Sequence, residues 1–258
     1  MAISLPFSGA PALIGMVHLE ALPGAPGFGG DLDAVVAKAE HEAAILAAAG
    51  FDAIMLENFG DVPFFKDSLP PVTIAAMTRC ALAVRAVAPK IPLGINALRN
   101  DGTAALGIAV AVGARFIRVN VLVGAMVTDQ GIIEGRAAEL VRLRHTLGVP
   151  VAILADVAVK HAAPLHALDI EHLARDTALR GGADALIVSG SGTGAPTDPD
   201  RVARVRAAVP GVPVLVGSGA TPSTISALNA DGYIVGTALK RGGLVDAGCC
   251  AALVAAAR

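Results

Sequence analysis

The chain has 258 residues, of which 54% are hydrophobic, 16% charged and only 3% aromatic. A chain of this length and apolar content fills a large core with aliphatic side chains, which excludes intrinsic disorder. The formal net charge of -2 offers no basic surface to a phosphate backbone, so we expect no nucleic-acid partner.

Apolar stretches are interrupted by Gly, Pro or a charged residue before they reach the roughly 20 residues of a membrane-spanning helix. The sequence therefore predicts no transmembrane segment, and a peripheral association with membranes stays open. The first residues include Pro6 and Pro11 and no basic leader, unlike a secretion signal. Cys80, Cys249 and Cys250 fit neither a disulfide framework nor a zinc site, so a cytoplasmic location is expected.

Short apolar segments rich in β-branched residues predict eight strands, at 13–16, 53–56, 92–95, 116–119, 151–155, 185–188, 213–216 and 233–235. Segments with helical apolar spacing follow these strands in turn, at 33–49, 72–88, 103–112, 134–147, 170–180, 200–208, 223–229 and 244–257. Four glycines follow predicted helices, where a left-handed cap favours this residue: Gly50, Gly113, Gly148 and Gly181.

The regular alternation of strand and helix predicts an α/β fold in one domain, residues 1–258. We expect a (βα)8 TIM barrel of eight parallel strands, with a doubly wound open sheet as the alternative. In such a barrel, functional side chains lie on the loops that follow the carboxyl ends of the strands. Polar residues and glycines at these positions are His18, Glu20, Glu57, Asn58, Asn96, Arg118, Asn120, Asp156, Lys160, His161, Ser189, Gly190, Gly217, Ser218, Gly219, Gly236 and Thr237.

The strand-end segments are long and distinctive. They are MVHLEALPG (16–24), ENFGDVPF (57–64), PLGINALRND (92–101), FIRVN (116–120), TDQGIIEG (128–135), LADVAVKHA (154–162), ALIVSGSGTG (185–194), PVLVGSGAT (213–221) and IVGTALK (234–240). Together they resemble the BtpA/SgcQ family over nearly the whole chain. The resemblance implies a TIM barrel; the family takes its name from photosystem I biogenesis, and some members are found beside sugar-metabolism genes.

Two glycine-rich turns follow the last two predicted strands, Gly217-Ser218-Gly219 and Gly236-Thr237. Glycine lets backbone N–H groups approach an anion, and these two loops often hold phosphate in TIM barrels. The pairing favours a phosphate site over simple tight turns. The preceding loop, 189–194, fits a lid hinge and a long turn equally well.

Strand alternation places Arg118 and Asn120 on the side that faces the barrel axis. An enclosed guanidinium needs a partner or an anionic ligand, and Asp156 on the neighbouring predicted strand is the expected partner. A structural ion pair and a clamp for a substrate anion are equally compatible with this pattern.

Lys160 is notable because only five of the 20 basic residues are lysines. Its amine can form a Schiff base, transfer protons or pair with phosphate, whereas a solvated loop lysine is the simpler alternative. His18 and His161 are candidate acids or bases, or structural histidines. Carboxylates and histidines occur at several strand ends, but no close-spaced ligand motif predicts a metal site.

The residues favour an enzyme of the lyase, aldolase or isomerase type that acts on a small phosphorylated metabolite, either a sugar phosphate or a nucleoside-derived phosphate. In this hypothesis the glycines hold phosphate, Glu57 or Asp156 removes a proton, and Lys160 or His161 stabilises or protonates the product. The remaining predicted substrate contacts are His18, Asn96, Arg118, Asn120, Ser189, Gly190, Ser218 and Thr237.

Two alternatives stay open. The family name implies a non-catalytic assembly or stability factor for photosystem I or another membrane complex, and the Gly-Ser-Gly turn also fits a flavin phosphate. No cofactor is predicted, although a metal or a flavin is not excluded. The long loop after the second strand carries Phe59, Phe64 and Phe65, which suggests a lid or a contact in a homo-oligomer, with core packing as the alternative.

Overall fold

The computed structural model describes residues 3–7, 11–165, 169–190, 192 and 194–258. Its strands, in chain order, are β1 (Ala12–His18), β2 (Ala53–Glu57), β3 (Leu93–Asn96), β4 (Phe116–Val119), β5 (Ala125–Thr128), β6 (Gly131–Glu134), β7 (Ala152–Asp156), β8 (Ala162–Pro164), β9 (Ala185–Val188), β10 (Val214–Val216), β11 (Gly232–Val235), β12 (Lys240–Arg241) and β13 (Leu244–Val245). The α-helices are α1 (Leu32–Ala49), α2 (Pro71–Val87), α3 (Gly102–Val112), α4 (Ala137–Leu147), α5 (Ile170–Arg175), α6 (Pro199–Ala208) and α7 (Ala247–Ala257).

Eight of these strands form a closed parallel barrel in the order β1-β2-β3-β4-β7-β9-β10-β11, and β11 pairs back with β1. The predicted TIM barrel is confirmed, and closure excludes the open sheet. The barrel strands are almost entirely buried because the interior side chains cover one face and the surrounding helices the other.

Side-chain alternation divides the core into two clusters. Inward-facing residues such as Met55, Phe116 and Leu154 fill the barrel, whereas Ile117 and Val119 pack outward under the helices. The amino-terminal segment closes the lower end, where the ring of Phe7 meets Phe116 edge-on with centroids 5.6 Å apart. The barrel interior is therefore closed at its lower end by apolar packing.

Glycine caps behave as predicted after three helices: Gly50, Gly113 and Gly148 adopt left-handed conformations with φ of 86°, 69° and 62°. The prediction for Gly181 is wrong. Residues 176–180 continue α5 as a π-helical turn, Gly181 has φ of -77°, and the left-handed residue is Gly182 with φ of 73°.

Three predicted helices differ in extent. The segment 134–147 begins as a helix only at Ala137, because 131–134 pairs with β5 in a hairpin that β8 extends. The segment 223–229 contains only a 3-10 turn at Ile225–Ala227. The last helix starts at Ala247, after the β12-β13 hairpin, with Asp246 as its N-cap. In the described part of the chain, no helix combines the length and apolarity needed to cross a membrane.

Candidate functional site

Two adjoining cavities lie at the carboxyl ends of the barrel strands. The first has a volume of about 140 Å³ and lies against the loops that follow β10 and β11. The second has a volume of about 250 Å³ and lies against the loops that follow β2 and β3. Glu57, Arg118 and Lys160 line both cavities and therefore mark the boundary between them.

The first cavity is bordered by main chain that only glycine permits. Gly219 has φ of 74°, and a Cβ there would lie 2.5 Å from the carbonyl oxygen of Ala195. A Cβ on Gly236 would lie 2.8 Å from Cε1 of His18. The N–H groups of Gly219, Ala220 and Gly236 have no hydrogen-bond acceptor among the residues that the structure describes. These amides are available to an anion in the cavity.

The loop after β9 is attached to the loop after β10. Ser218 Oγ donates to the carbonyl oxygens of Gly192 and Ala195, both at 3.1 Å. Gly190 packs against the main chain of Ala195, where a Cβ would lie 2.5 Å from the carbonyl oxygen. Close packing between main-chain segments therefore explains why this loop has a glycine at position 190. Ser191 and Thr193 lie outside the described residues.

Arg118 and Asp156 form the expected pair across β4 and β7. Nε and one terminal nitrogen of Arg118 donate to the two carboxylate oxygens, each at 2.8 Å. Asn120 donates to the same carboxylate at 2.9 Å and Ser189 at 3.4 Å. Burial alone lowers the pKa of Arg118, but Asp156 outweighs it and the net pKa is raised. Asp156 is fully hydrogen-bonded and positions Arg118.

Glu57 lies at the end of β2 with its carboxylate directed into the site. One oxygen accepts a hydrogen bond from Nδ2 of Asn96 on the neighbouring strand, and the other lies 3.7 Å from Nε2 of His18. Unlike Asp156, Glu57 lines both cavities. It is the carboxylate that a bound molecule would meet.

His18 is held between a ring and a cation. Its imidazole stacks on Phe59 with centroids 4.5 Å apart, and Nδ1 lies 3.3 Å from Nζ of Lys240. The pKa of His18 is lowered to about 4, chiefly by burial; the charge of Glu57 raises it, and the charges of Lys240, Lys160 and Arg118 lower it. His18 is therefore neutral at pH 7. Since an ammonium only donates, Nδ1 accepts from Lys240 and the proton of the neutral ring lies on Nε2.

Lys160 follows β7 and is half-buried between the two cavities. Its Nζ makes no hydrogen bond or ion pair with any residue described in the structure. Burial lowers its pKa, as do Arg118 and Arg99, while Glu57 and Asp156 oppose the shift. His161, next in the chain, is exposed on the wall of the second cavity.

Sequence reasoning did not single out two cations of the site, Arg99 and Lys240. Arg99 is 6% exposed and donates to the carbonyl oxygen of Lys160 at 2.8 Å and to Oδ1 of Asn120 at 3.4 Å. Its position three residues after β3, in PLGINALRND, was the available signal. Lys240 was marked by the scarcity of lysine and by its place soon after β11.

The structure divides the predicted site residues into two groups. Those on the cavity walls are His18, Glu57, Arg118, Asn120, Lys160, His161, Gly217, Ser218, Gly219, Gly236 and Thr237. Four others lie behind the walls: Asn96, Asp156, Ser189 and Gly190. Among the described residues there is no cluster of three or more His, Cys, Asp or Glu side chains that could hold a metal ion.

The fold and the strand-end cavities define a TIM barrel with a pocket in which main-chain amides and cationic side chains converge. The sequence profile of the BtpA family matches residues 10–257, and the chain belongs to this family. The photosystem I biogenesis protein BtpA of Synechocystis is 48% identical over 236 residues, which cover 91% of this chain and 82% of that protein.

Solved structures with similar folds include two enzymes. N-(5'-phosphoribosyl)anthranilate isomerase from Pyrococcus furiosus superposes with a TM-score of 0.57 at 14% identity, covering 95% of this chain and 98% of the other. The 3-keto-L-gulonate-6-phosphate decarboxylase from Vibrio cholerae superposes with a TM-score of 0.57 at 16% identity, covering 96% and 98%. These similarities establish the fold.

Proposed function

We propose that the protein is an enzyme of the lyase, aldolase or isomerase type that acts on a small phosphorylated metabolite. The observation that carries this proposal is the first cavity, which is lined both by the main-chain amides of Gly219, Ala220 and Gly236 and by the amine of Lys160, none of which has a hydrogen-bond partner for its N–H groups among the described residues. Both structural neighbours are named for phosphorylated compounds, a phosphoribosyl derivative and a sugar 6-phosphate. A phosphorylated substrate for this chain agrees with those names.

The phosphate lies against Gly219, Ala220 and Gly236 and accepts hydrogen bonds from their N–H groups. A phosphate oxygen bound to such donors gains charge-assisted hydrogen bonds, which are stronger than those between neutral groups. Arg118 adds little free charge because Asp156 neutralises it. Lys160 lies at the boundary between the two cavities and supplies a positive charge that no carboxylate among the described residues pairs with.

The reacting carbon of the substrate lies at that boundary. Glu57 removes a proton from a carbon next to a carbonyl group, because its carboxylate faces the cavities whereas that of Asp156 is fully bound. The electron pair left on carbon moves to the carbonyl oxygen, which receives a proton from Lys160 or from Nε2 of neutral His18. Lys160 with a lowered pKa is also suited to attack a carbonyl carbon as a neutral amine.

A negative charge introduced at Thr237 tests whether phosphate binds in the first cavity. This exposed residue borders the first cavity, so Thr237→Asp places a carboxylate beside the bound anion, and Thr237→Asn is the neutral control of equal size. We expect calorimetry to show inorganic phosphate binding at least about 10-fold more weakly to the Asp variant than to the Asn variant. Equal affinities, or no phosphate binding by the unmodified protein, would contradict the proposal.

Chemical labelling tests whether the amine of Lys160 is reactive and lies in the phosphate site. Because its pKa is lowered, Lys160 has a larger neutral fraction at pH 8 than an ordinary lysine, and we expect a small acylating reagent to modify it faster than exposed Lys90. Inorganic phosphate should slow the reaction of Lys160 alone, as measured by peptide mass spectrometry. Faster labelling of Lys90, or no effect of phosphate, would remove Lys160 from the site.

A second candidate function comes from the Synechocystis relative, which is named for photosystem I biogenesis. A purely structural assembly factor has no need of a half-buried lysine between two cavities. Replacement of the relative by this chain in Synechocystis separates the two: if Lys160→Met restores photosystem I as well as the unmodified chain does, assembly without chemistry is favoured.

A further inference from the structure

The second cavity has walls of two chemical kinds. Phe59, Phe64 and Leu98 form an apolar side, and Arg99 with Asp129 forms a polar side. Its volume of about 250 Å³ exceeds the 140 Å³ of the first cavity. A phosphate and a short sugar chain placed in the first cavity would leave this larger space to another part of the ligand.

The apolar side is built to keep its shape. Asn58 holds the two loops together: its Oδ1 accepts from the N–H of Leu98 at 2.7 Å, and its Nδ2 donates to the carbonyl oxygen of Leu98 at 3.3 Å. The N–H of Arg99 donates to the carbonyl oxygen of Phe65 at 3.2 Å. Phe59 is fixed from behind by its stack on His18. Aromatic and aliphatic faces in a fixed position favour a flat, unsaturated group between them.

Arg99 indicates the other property of that group. It is 6% exposed, yet no carboxylate lies within ion-pair distance of it in the described part of the chain. Two neutral oxygens, from Lys160 and Asn120, accept its hydrogen bonds. A buried guanidinium has five N–H donors, so a ligand oxygen on this side of the cavity would satisfy donors that the protein leaves open.

We propose that the substrate is a sugar phosphate that carries a planar, unsaturated ring with an oxygen acceptor, and that the ring binds between Phe59, Phe64 and Leu98 with its oxygen toward Arg99. This inference rests on the proposed function, since the phosphate site fixes the other end of the ligand. It narrows the substrate to ring-bearing phosphoesters such as nucleotides and excludes simple sugar phosphates as the preferred class.

Three probes separate the inference from the proposed function: inorganic phosphate, ribose 5-phosphate and uridine 5'-monophosphate. We expect calorimetry to show uridine monophosphate binding about 10-fold or more tightly than ribose 5-phosphate, since a stacked ring contributes up to about 10-fold and a hydrogen bond to a charged group about 10-fold or more. Phe64→Ala should reduce the ratio toward one and leave inorganic phosphate unaffected. Arg99→Gln should weaken uridine monophosphate more than ribose 5-phosphate.

Phe65→Ala is the matched control, because Phe65 is 53% exposed and does not line the second cavity. This variant should keep the full ratio. Equal affinity for ribose 5-phosphate and uridine monophosphate in the unmodified protein overturns the inference while the proposed function stands. If neither phosphate nor ribose 5-phosphate binds, the proposed function is wrong. Uridine, which has no phosphate, then tests the second cavity alone. If Phe64→Ala does not weaken the binding of uridine, the inference is overturned as well.

Discussion

At the scale of single residues, Asp156 determines whether the positive charge of Arg118 can remain in the barrel. Arg118 is 3% exposed and Asp156 5% exposed, so water cannot replace either partner. We expect Asp156→Asn to lower the free energy of unfolding by about 3 kcal/mol, because it leaves a buried cation without a counter-charge. Denaturant titration measures this change.

The double variant Arg118→Met with Asp156→Leu is the control for that prediction. It removes both charges, so it should lose less stability than Asp156→Asn alone. If Asp156→Asn unfolds at the same denaturant concentration as the unmodified protein, the pair contributes nothing to stability.

The lowered pKa of His18 predicts that the free energy of unfolding decreases as the pH falls. Its pKa in the folded protein is about 4, against 6.5 in the unfolded chain, so the unfolded state takes up a proton first as the pH falls. The stability that neutral His18 contributes is therefore complete above pH 6.5 and decreases toward pH 4, by up to about 3 kcal/mol. We expect His18→Gln to be less sensitive to acid than the unmodified protein in denaturant titrations across this range.

His145→Gln serves as the comparison, because His145 is an exposed histidine on α4. It should keep the pH dependence of the unmodified protein. An identical pH dependence in the His18 and His145 variants would show that His18 titrates in the folded protein as it does in the unfolded chain.

The pairing of Arg118 with Asp156 could be predicted from sequence, because alternation and adjacent strands fix both side chains. The surroundings of Arg99 and Lys240 could not. Arg99 reaches the site through a loop whose course depends on contacts with Phe65 and Asn58, and Lys240 approaches His18 from the other end of the chain. These contacts join residues that are far apart in the sequence, so no local sequence pattern predicts them.

At the scale of elements, the barrel strands were predictable because each is an apolar run between turn residues, as at 53–56 within β2. The β5-β6 hairpin was missed because its residues are half-exposed and its second strand runs directly toward α4. The predicted helix at 223–229 fails because the hydroxyl of Thr224 binds nearby main chain: it accepts from the N–H of Thr221 and donates to the carbonyl oxygen of Gly219, which competes with helical hydrogen bonds.

Asp101 connects two elements that shape the second cavity. Its Oδ1 caps α3 by accepting from the N–H of Ala104 at 2.9 Å, and its Oδ2 accepts from the N–H of Leu69 at 2.8 Å. We expect Asp101→Ala to cost about 2 kcal/mol of unfolding free energy, since it removes a cap and leaves a buried N–H unpaired. Hydrogen exchange should become faster at Leu69.

Asp31→Ala is the matched variant on α1, where the exposed Asp31 only caps the helix. It should cost about 1 kcal/mol and leave exchange at Leu69 unchanged. An equal loss from both variants would indicate that the bond from Leu69 adds no stability.

At the scale of the whole molecule, the two ends of the barrel differ in structure. The lower end is closed by the segment that contains Phe7, while both cavities lie at the upper end. We expect Phe7→Ala to lower the free energy of unfolding by about 2 kcal/mol through lost packing on Phe116, with unchanged affinity for inorganic phosphate. Denaturant titration and calorimetry on the same variant test the two statements together.

Phe65→Ala, which is the control for ligand binding above, is also the stability control for Phe7→Ala because Phe65 is exposed. Phe65→Ala should change the free energy of unfolding by less than about 0.5 kcal/mol. A loss of phosphate binding in Phe7→Ala would mean that the lower end and the site are coupled through the barrel.

The closure of the barrel has a consequence for how the chain folds as it is made. β1 pairs with β2, its neighbour in sequence, but its other edge pairs only with β11, where Ala12 lies beside Gly232. While the ribosome is still producing the middle of the chain, that edge has no partner and can recruit a strand from another nascent chain. Ring closure therefore waits until β11, the last of the eight barrel strands, has been made.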